Sequence, residues 1–246
     1  MFVTYHREGN IGYVTLNRPD RKNSIGAEMA VELENAWAEF EEDADAWVAV
    51  LTGEGSTFCA GRDIKGDMTP LPRTSLGDQF VPVTDRPIIA GIRGHVIGLG
   101  WYMSSACDYI VAGTDTNFLM TQVKVGLPGP YGFAARMLMP PPLAFEVLAL
   151  GRPLTAERAY SHGLVNEIVE PEDVRDRATA VAESVLSLAP GQLRLTKDIL
   201  RATERTVSDE VKSMYWDGRA ELEDHPNTIE ARAALREKRA PQFVSI

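Results

Sequence analysis

Two short glycine turns hold the backbone groups best suited to chemistry. The first is Phe58-Cys59-Ala60-Gly61-Arg62-Asp63-Ile64, and the second is Gly94-His95-Val96-Ile97-Gly98-Leu99-Gly100, which runs on into residues 101–107. Each follows an apolar run that reads as a strand. Where a helix begins, its first N–H groups have no internal partner and lie at the positive end of the helix dipole. Two such turns facing each other form an oxyanion hole, able to hold the negative oxygen of an enolate or tetrahedral intermediate. A single Gly-x-Gly ahead of a helix is more often a tight packing device, so the reading needs both turns together.

Other titratable groups lie near these turns or in the loops that follow. His95 flanks the second turn, Tyr131 sits in Gly129-Pro130-Tyr131-Gly132, Asp67, Asp78 and Asp85 lie between residues 65 and 85, and Lys124 lies further on. A loop histidine is more often packed or solvated than catalytic, and a loop tyrosine more often a pocket wall. Asp63 reads as a helix cap, and His162 as a cation at a helix C-terminus.

The elements that must position these groups follow from periodicity and turn chemistry. Val3 and Tyr5, then Ile11, Tyr13, Val14 and Leu16, flank Gly9-Asn10 and predict an opening hairpin. Met29, Leu33, Trp37 and Phe40 recur at helical spacing over Ala27–Glu42. Residues 47–52, 87–92 and 109–112 read as buried strands, and residues 65–85 as a long loop able to cover a pocket. Beyond Phe118 the pattern turns helical, with helices expected over 143–150, 156–162, 174–188, 192–203, 207–223 and 228–239, and one strand-like run over 164–169.

Composition narrows the function classes. The 246 residues carry 35 acidic and 25 basic side chains, a net charge of −10, which opposes binding to nucleic acid or anionic membrane. Cys59 and Cys107 lack metal-like spacing and fit a reducing compartment. No secretion signal or membrane-spanning run is legible, so a cytoplasmic protein without membrane insertion is expected.

Together the motifs resemble the crotonase (enoyl-CoA hydratase/isomerase) superfamily. The resemblance rests on Ala60-Gly61-Arg62-Asp63-Ile64, Arg86-Pro87-Ile88-Ile89-Ala90, Gly94 to Gly100, Cys107-Asp108, Val125-Gly126-Leu127-Pro128, Leu150-Gly151-Arg152-Pro153-Leu154-Thr155-Ala156 and Gly163-Leu164-Val165-Asn166. The tail Glu237-Lys238-Arg239-Ala240-Pro241-Gln242-Phe243 matches as well. It implies an α/β fold: a ββα spiral over residues 1–188, binding acyl-CoA, with a helical region over 189–246 that packs subunits into homotrimers or hexamers. An acyl-CoA thioester would seat its carbonyl between the Arg62 and Leu99 amides. Coenzyme A, a part of the substrate rather than a tightly bound cofactor, would lie along Phe58, Ala60, Asp63 and Ile64, with phosphates near Arg21, Lys22 and Lys238 of a neighbouring subunit. Leu99 stands where the family usually has glycine, and its Cβ disfavours any positive φ there.

The resemblance also locates a departure. Hydratases of the family hold two glutamates over the acyl α and β carbons, and here Tyr102 and Gln122 occupy those positions. A carboxamide takes up no proton at neutral pH and a phenol of pKa about 10 is a poor base, so efficient hydration by that route is not expected. Residues 120–128 also resemble the branch that decarboxylates malonyl-type CoA thioesters, where loss of CO₂ yields the enolate directly and a donor such as Tyr131 or Tyr102 suffices; Arg62, however, replaces that branch's histidine. Three functions are therefore expected to compete: an acyl-CoA lyase or isomerase with relocated acid and base, a decarboxylase or thioester hydrolase, and a non-catalytic acyl-CoA-binding protein.

Overall fold

The computed structural model describes residues 1–64, 71–76, 79–128, 139–203 and 207–245. Two compact units emerge, one of Met1–Phe118 with Leu154–Thr203, the other of Leu119–Pro153 with Glu204–Ile246.

In the first unit, β1 (Val3–Glu8) and β2 (Ile11–Leu16) form the expected hairpin around Gly9, which adopts φ +57°. Beyond β2 the sheet turns parallel through β3 (Val48–Gly53), β4 (Ile88–Ile92), β6 (Tyr109–Gly113) and β9 (Glu167–Val169), in the order β1-β2-β3-β4-β6-β9. β2, β3 and β4 bury nearly every residue, the pattern of strands covered on both faces.

The two faces are covered by different helices. Helix α1 (Ala27–Glu42) buries Met29, Leu33, Trp37 and Phe40, and a β-carbon added at Gly12 would meet the Phe40 ring at 2.9 Å. Strand alternation sends Ile11, Tyr13, Val48, Val50, Ile89 and Val111 to the other face, against Ala178, Val181 and Ala182 of α5 (Val174–Leu186). A second, three-stranded sheet joins β5 (His95–Ile97), β7 (Asn117–Leu119) and β8 (Leu154–Thr155), elements too short to leave a periodic signal. Helix α2 (Leu99–Ser105) follows β5 directly, and α4 (Ala156–Ser161) is capped by the Thr155 hydroxyl, which accepts from the Arg158 N–H. Helix α6 (Pro190–Ala202) buries none of its residues fully and is held by Lys197, whose Nζ lies 2.6 Å from both the Arg86 carbonyl and the Asp108 carboxylate.

In the second unit, Pro140, Pro141 and Pro142 open α3 (Pro141–Ala144), where their fixed φ suits a helix start, and one wide π turn over Phe145–Ala149 carries the chain on. Helices α7 (Asp209–Leu222) and α8 (Pro226–Glu237) complete it, with Thr228, Ala231 and Ala234 buried on α8. Among the described residues no helix is long and apolar enough to cross a membrane.

Candidate functional site

The first glycine turn leaves the C-terminal end of β3, where ligands of open parallel sheets bind. Its backbone lies between two other segments. On one side Phe58 N–H donates to Arg93 O at 2.8 Å, Cys59 N–H to His95 O at 3.2 Å, and Ile97 N–H to Cys59 O at 2.9 Å. On the other, Ala60 N–H donates to Lys22 O, Ile25 N–H to Gly61 O, and Asp63 N–H to Ile25 O, at 2.8–2.9 Å. Parallel pairing of Ile25 with Arg62 thus uses the backbone groups flanking Arg62, and the Arg62 N–H, which lies opposite the Gly61 carbonyl across their trans peptide, points away from Ile25.

The two turns come into direct contact. A β-carbon built on Gly61, at φ +83°, would stand 2.7 Å from the Ile97 carbonyl oxygen and 3.6 Å from the Leu99 nitrogen. One built on Gly100 would stand 2.7 Å from both the Cys59 oxygen and its Cβ. Only hydrogen fits at either position. Positive φ in the second turn falls on Gly94, at +61°, and Gly98, at +51°, and Leu99 enters α2 without one. The side chain at Leu99 therefore carries no backbone penalty, and its N–H is the first of the helix, without an intrahelical acceptor.

Asp63 is 7% exposed and lies 2.9 Å from Arg18 Nη1 and 3.4 Å from Arg21 Nη2. Any helix that Asp63 caps would begin outside the described residues, and its described role is this ion pair. Arg21 is consequently shared between Asp63 and solvent, whereas Lys22 is exposed, with φ +52°. Phe58 is fully buried, Ile64 is 56% exposed, and the N–H groups of Phe58 and Ala60 are engaged internally. His95 points to solvent from β5. Tyr102 lies one turn into α2, its N–H bonded to Gly98 O at 3.0 Å.

In the second unit, Gln122 opens a short 3-10 turn over Gln122–Val125, and its Oε1 is buried without a hydrogen-bond donor among the described residues. Lys124 is exposed and packs along Gly151, while Lys238 ends α8 in a left-handed conformation. Tyr131, Asp67 and Asp78 lie outside the described residues. Asp85 is paired with Arg194 at 3.5 Å. Burial pushes the Cys59 thiol up to about 12, which fits a packed side chain and no nucleophile. Among the described residues no cluster of three or more His, Cys, Asp or Glu forms a metal site.

Sequence reasoning passed over Asn23. Fully buried at φ +52°, it donates from Nδ2 to the carbonyls of Glu54, Thr57 and Phe58 at 3.0, 2.8 and 3.1 Å, and its Oδ1 accepts from Arg18 N–H at 2.8 Å. The only cue in the sequence is an asparagine just past a proline turn, a residue type that tolerates the left-handed region.

Known proteins resemble the chain over its whole length. The family model described as Enoyl-CoA hydratase/isomerase matches residues 6–245. An (E)-benzylidenesuccinyl-CoA hydratase of Thauera aromatica is 35% identical, over 99% of each chain, and a carnitinyl-CoA dehydratase of Citrobacter koseri is 31% identical over 96% of each. Among solved structures, an enoyl-CoA hydratase/isomerase from Pseudoalteromonas atlantica superposes with a TM-score of 0.85 at 27% identity, covering 99% of this chain and 100% of that one. A carnitinyl-CoA hydratase from Mycobacterium avium reaches the same score and identity over 98% of both. With matches of this extent in sequence and in α/β fold, the chain belongs to the enoyl-CoA hydratase/isomerase family of the crotonase superfamily.

Proposed function

We propose that this chain processes an acyl-CoA thioester as a lyase or isomerase, stabilising the enolate between the Arg62 and Leu99 amides. The observation that carries this reading is the approach of Gly61 to within 3.6 Å, measured from an added β-carbon, of the Leu99 nitrogen, with the Arg62 N–H turned away from Ile25. Donors fixed before substrate arrives need no reorganisation as charge develops. Coenzyme A would enter as part of the substrate, its main chain contacts near Phe58, Ala60, Asp63 and Ile64 and its phosphates near Arg21, Lys22 and Lys238 of a neighbouring subunit. Exposed Leu195, Ile199 and Leu200 on α6 and Met214 and Trp216 on α7 support a homotrimer or hexamer, and two free thiols support a reducing, cytoplasmic setting.

The relatives are named as hydratases and dehydratases, yet Tyr102 and Gln122 offer no carboxylate here. This absence favours a second reading, decarboxylation of a malonyl-type CoA thioester or thioester hydrolysis, which asks less of a base. Incubation with crotonyl-CoA, a 3-enoyl-CoA, methylmalonyl-CoA and a β-ketoacyl-CoA, with products followed by mass, separates them. Turnover of an enoyl-CoA without brisk hydration is expected. Brisk hydration of crotonyl-CoA overturns the atypical mechanism, CO₂ release from methylmalonyl-CoA selects the second reading, and binding without turnover marks a non-catalytic acyl-CoA-binding protein.

A further inference from the structure

We propose that Asn23 and Arg18 are positioning residues that set the direction of the Arg62 amide, a role that rests on the acyl-CoA reading above. They hold the first glycine turn from both ends. Upstream, the Asn23 carboxamide spends its two N–H bonds on three carbonyls, those of Glu54, Thr57 and Phe58, while the Cys59 thiol donates to the Asn23 carbonyl at 3.1 Å. Downstream, Arg18 Nη1 bridges the Ser24 carbonyl at 3.1 Å and the Asp63 carboxylate at 2.9 Å. The two grips are coupled, because Arg18 N–H donates to Asn23 Oδ1 and Asn23 N–H to the Arg18 carbonyl at 2.9 Å.

Residue 62 lies between these grips, four positions beyond Phe58 and one before Asp63. Gly61, the intervening residue, sits at φ +83° and imposes no side-chain restraint of its own. The direction of the next amide must therefore come from what clamps its neighbours. No other uncharged side chain of this size both donates to carbonyls and accepts from an amide while tolerating φ +52°; aspartate would face three carbonyl oxygens with a carboxylate.

The test reads the thioester carbonyl itself. Crotonyl-CoA carrying ¹³C at its thioester carbonyl is bound to the full-length protein, and the carbonyl stretch is recorded by isotope-edited vibrational spectroscopy beside kcat and KM for the best substrate of the panel. Bound to the unaltered protein, the stretch is expected to move to lower frequency than in free crotonyl-CoA. Asn23→Gly, which keeps left-handed freedom and deletes the carboxamide, and Arg18→Lys, which keeps the charge and loses the fork, should each return the stretch toward the free value and lower kcat about 10²-fold, the scale of a 1 Å misplacement, with a smaller change in KM. Lys197→Met serves as a control that lowers stability without moving the frequency. If both variants fold and keep the full shift and kcat, the proposal is overturned; if Asn23→Gly does not fold, the same reading on Arg18→Lys decides it. No shift in the unaltered protein overturns the acyl-CoA reading along with it.

Discussion

Gly61 and Ile97 touch so closely that a β-carbon on Gly61 would lie 2.7 Å from the Ile97 carbonyl oxygen, inside any real carbon–oxygen contact. The two glycine turns are thus locked by a steric fit that only hydrogen satisfies, reinforced by the left-handed φ of +83°.

Gly61→Ala should consequently lower turnover about 10²-fold and stability by roughly 1–3 kcal/mol, because the turn must both strain and retreat. Gly163→Ala isolates the strain alone, since Gly163 has φ +71° with nothing within 4 Å of an added β-carbon. Steady-state kinetics and urea unfolding of both variants check this, and equal activity losses in the two would show that the contact with Ile97 is immaterial.

Restoring carboxylates at the two departed positions should bring hydration back. Tyr102→Glu combined with Gln122→Glu is expected to raise crotonyl-CoA hydration by about 10²-fold or more over the unaltered chain, the ordinary contribution of a positioned acid and base. Loss of absorbance from the conjugated enoyl thioester follows the reaction directly. A double variant no faster than the starting protein would mean that these side chains do not reach the acyl carbons.

Lys197→Met should cost roughly 1–3 kcal/mol, because it strips one partner each from the Asp108 carboxylate and the Arg86 carbonyl. Asp108 retains the Ile88 N–H at 2.7 Å, so the strand junction should survive while α6 loosens. Hydrogen exchange localised to residues 190–202 would report that loosening, and unchanged protection there would argue that the ion pair holds nothing.

Acid should release the C-terminal segment of the second unit. Arg239, by its paired hydrogen bonds, and then the Gln242 N–H hold the Glu230 carboxyl at about 2, below its ordinary 4.5. A depressed pKa contributes stability that is fully present above about 4.5 and disappears as pH falls through about 2. Carboxyl-selective NMR titration should find Glu230 still ionised below the ordinary glutamate range, and Glu230→Gln should abolish the low-pH step in proteolytic release of residues 240–245.

Much of this protein was determined by sequence alone, because the relevant signals are local. The α1 stripe of Met29, Leu33, Trp37 and Phe40, the Gly9-Asn10 hairpin and the apolar runs of β3 and β4 each state their own structure within one element. The glycine spacings and flanking motifs likewise carried the family resemblance. Tertiary structure alone decided that Gly98, and not Leu99, takes the left-handed turn, that β5, β7 and β8 form a second sheet, and that Asp63 is gripped by Arg18 and Arg21. It alone also revealed Asn23, whose carbonyl partners lie 31–35 residues away in the chain. Periodicity reports which face of an element is buried, whereas a buried amide's partners depend on which distant backbone groups the packed chain leaves unpaired, and no local pattern encodes that.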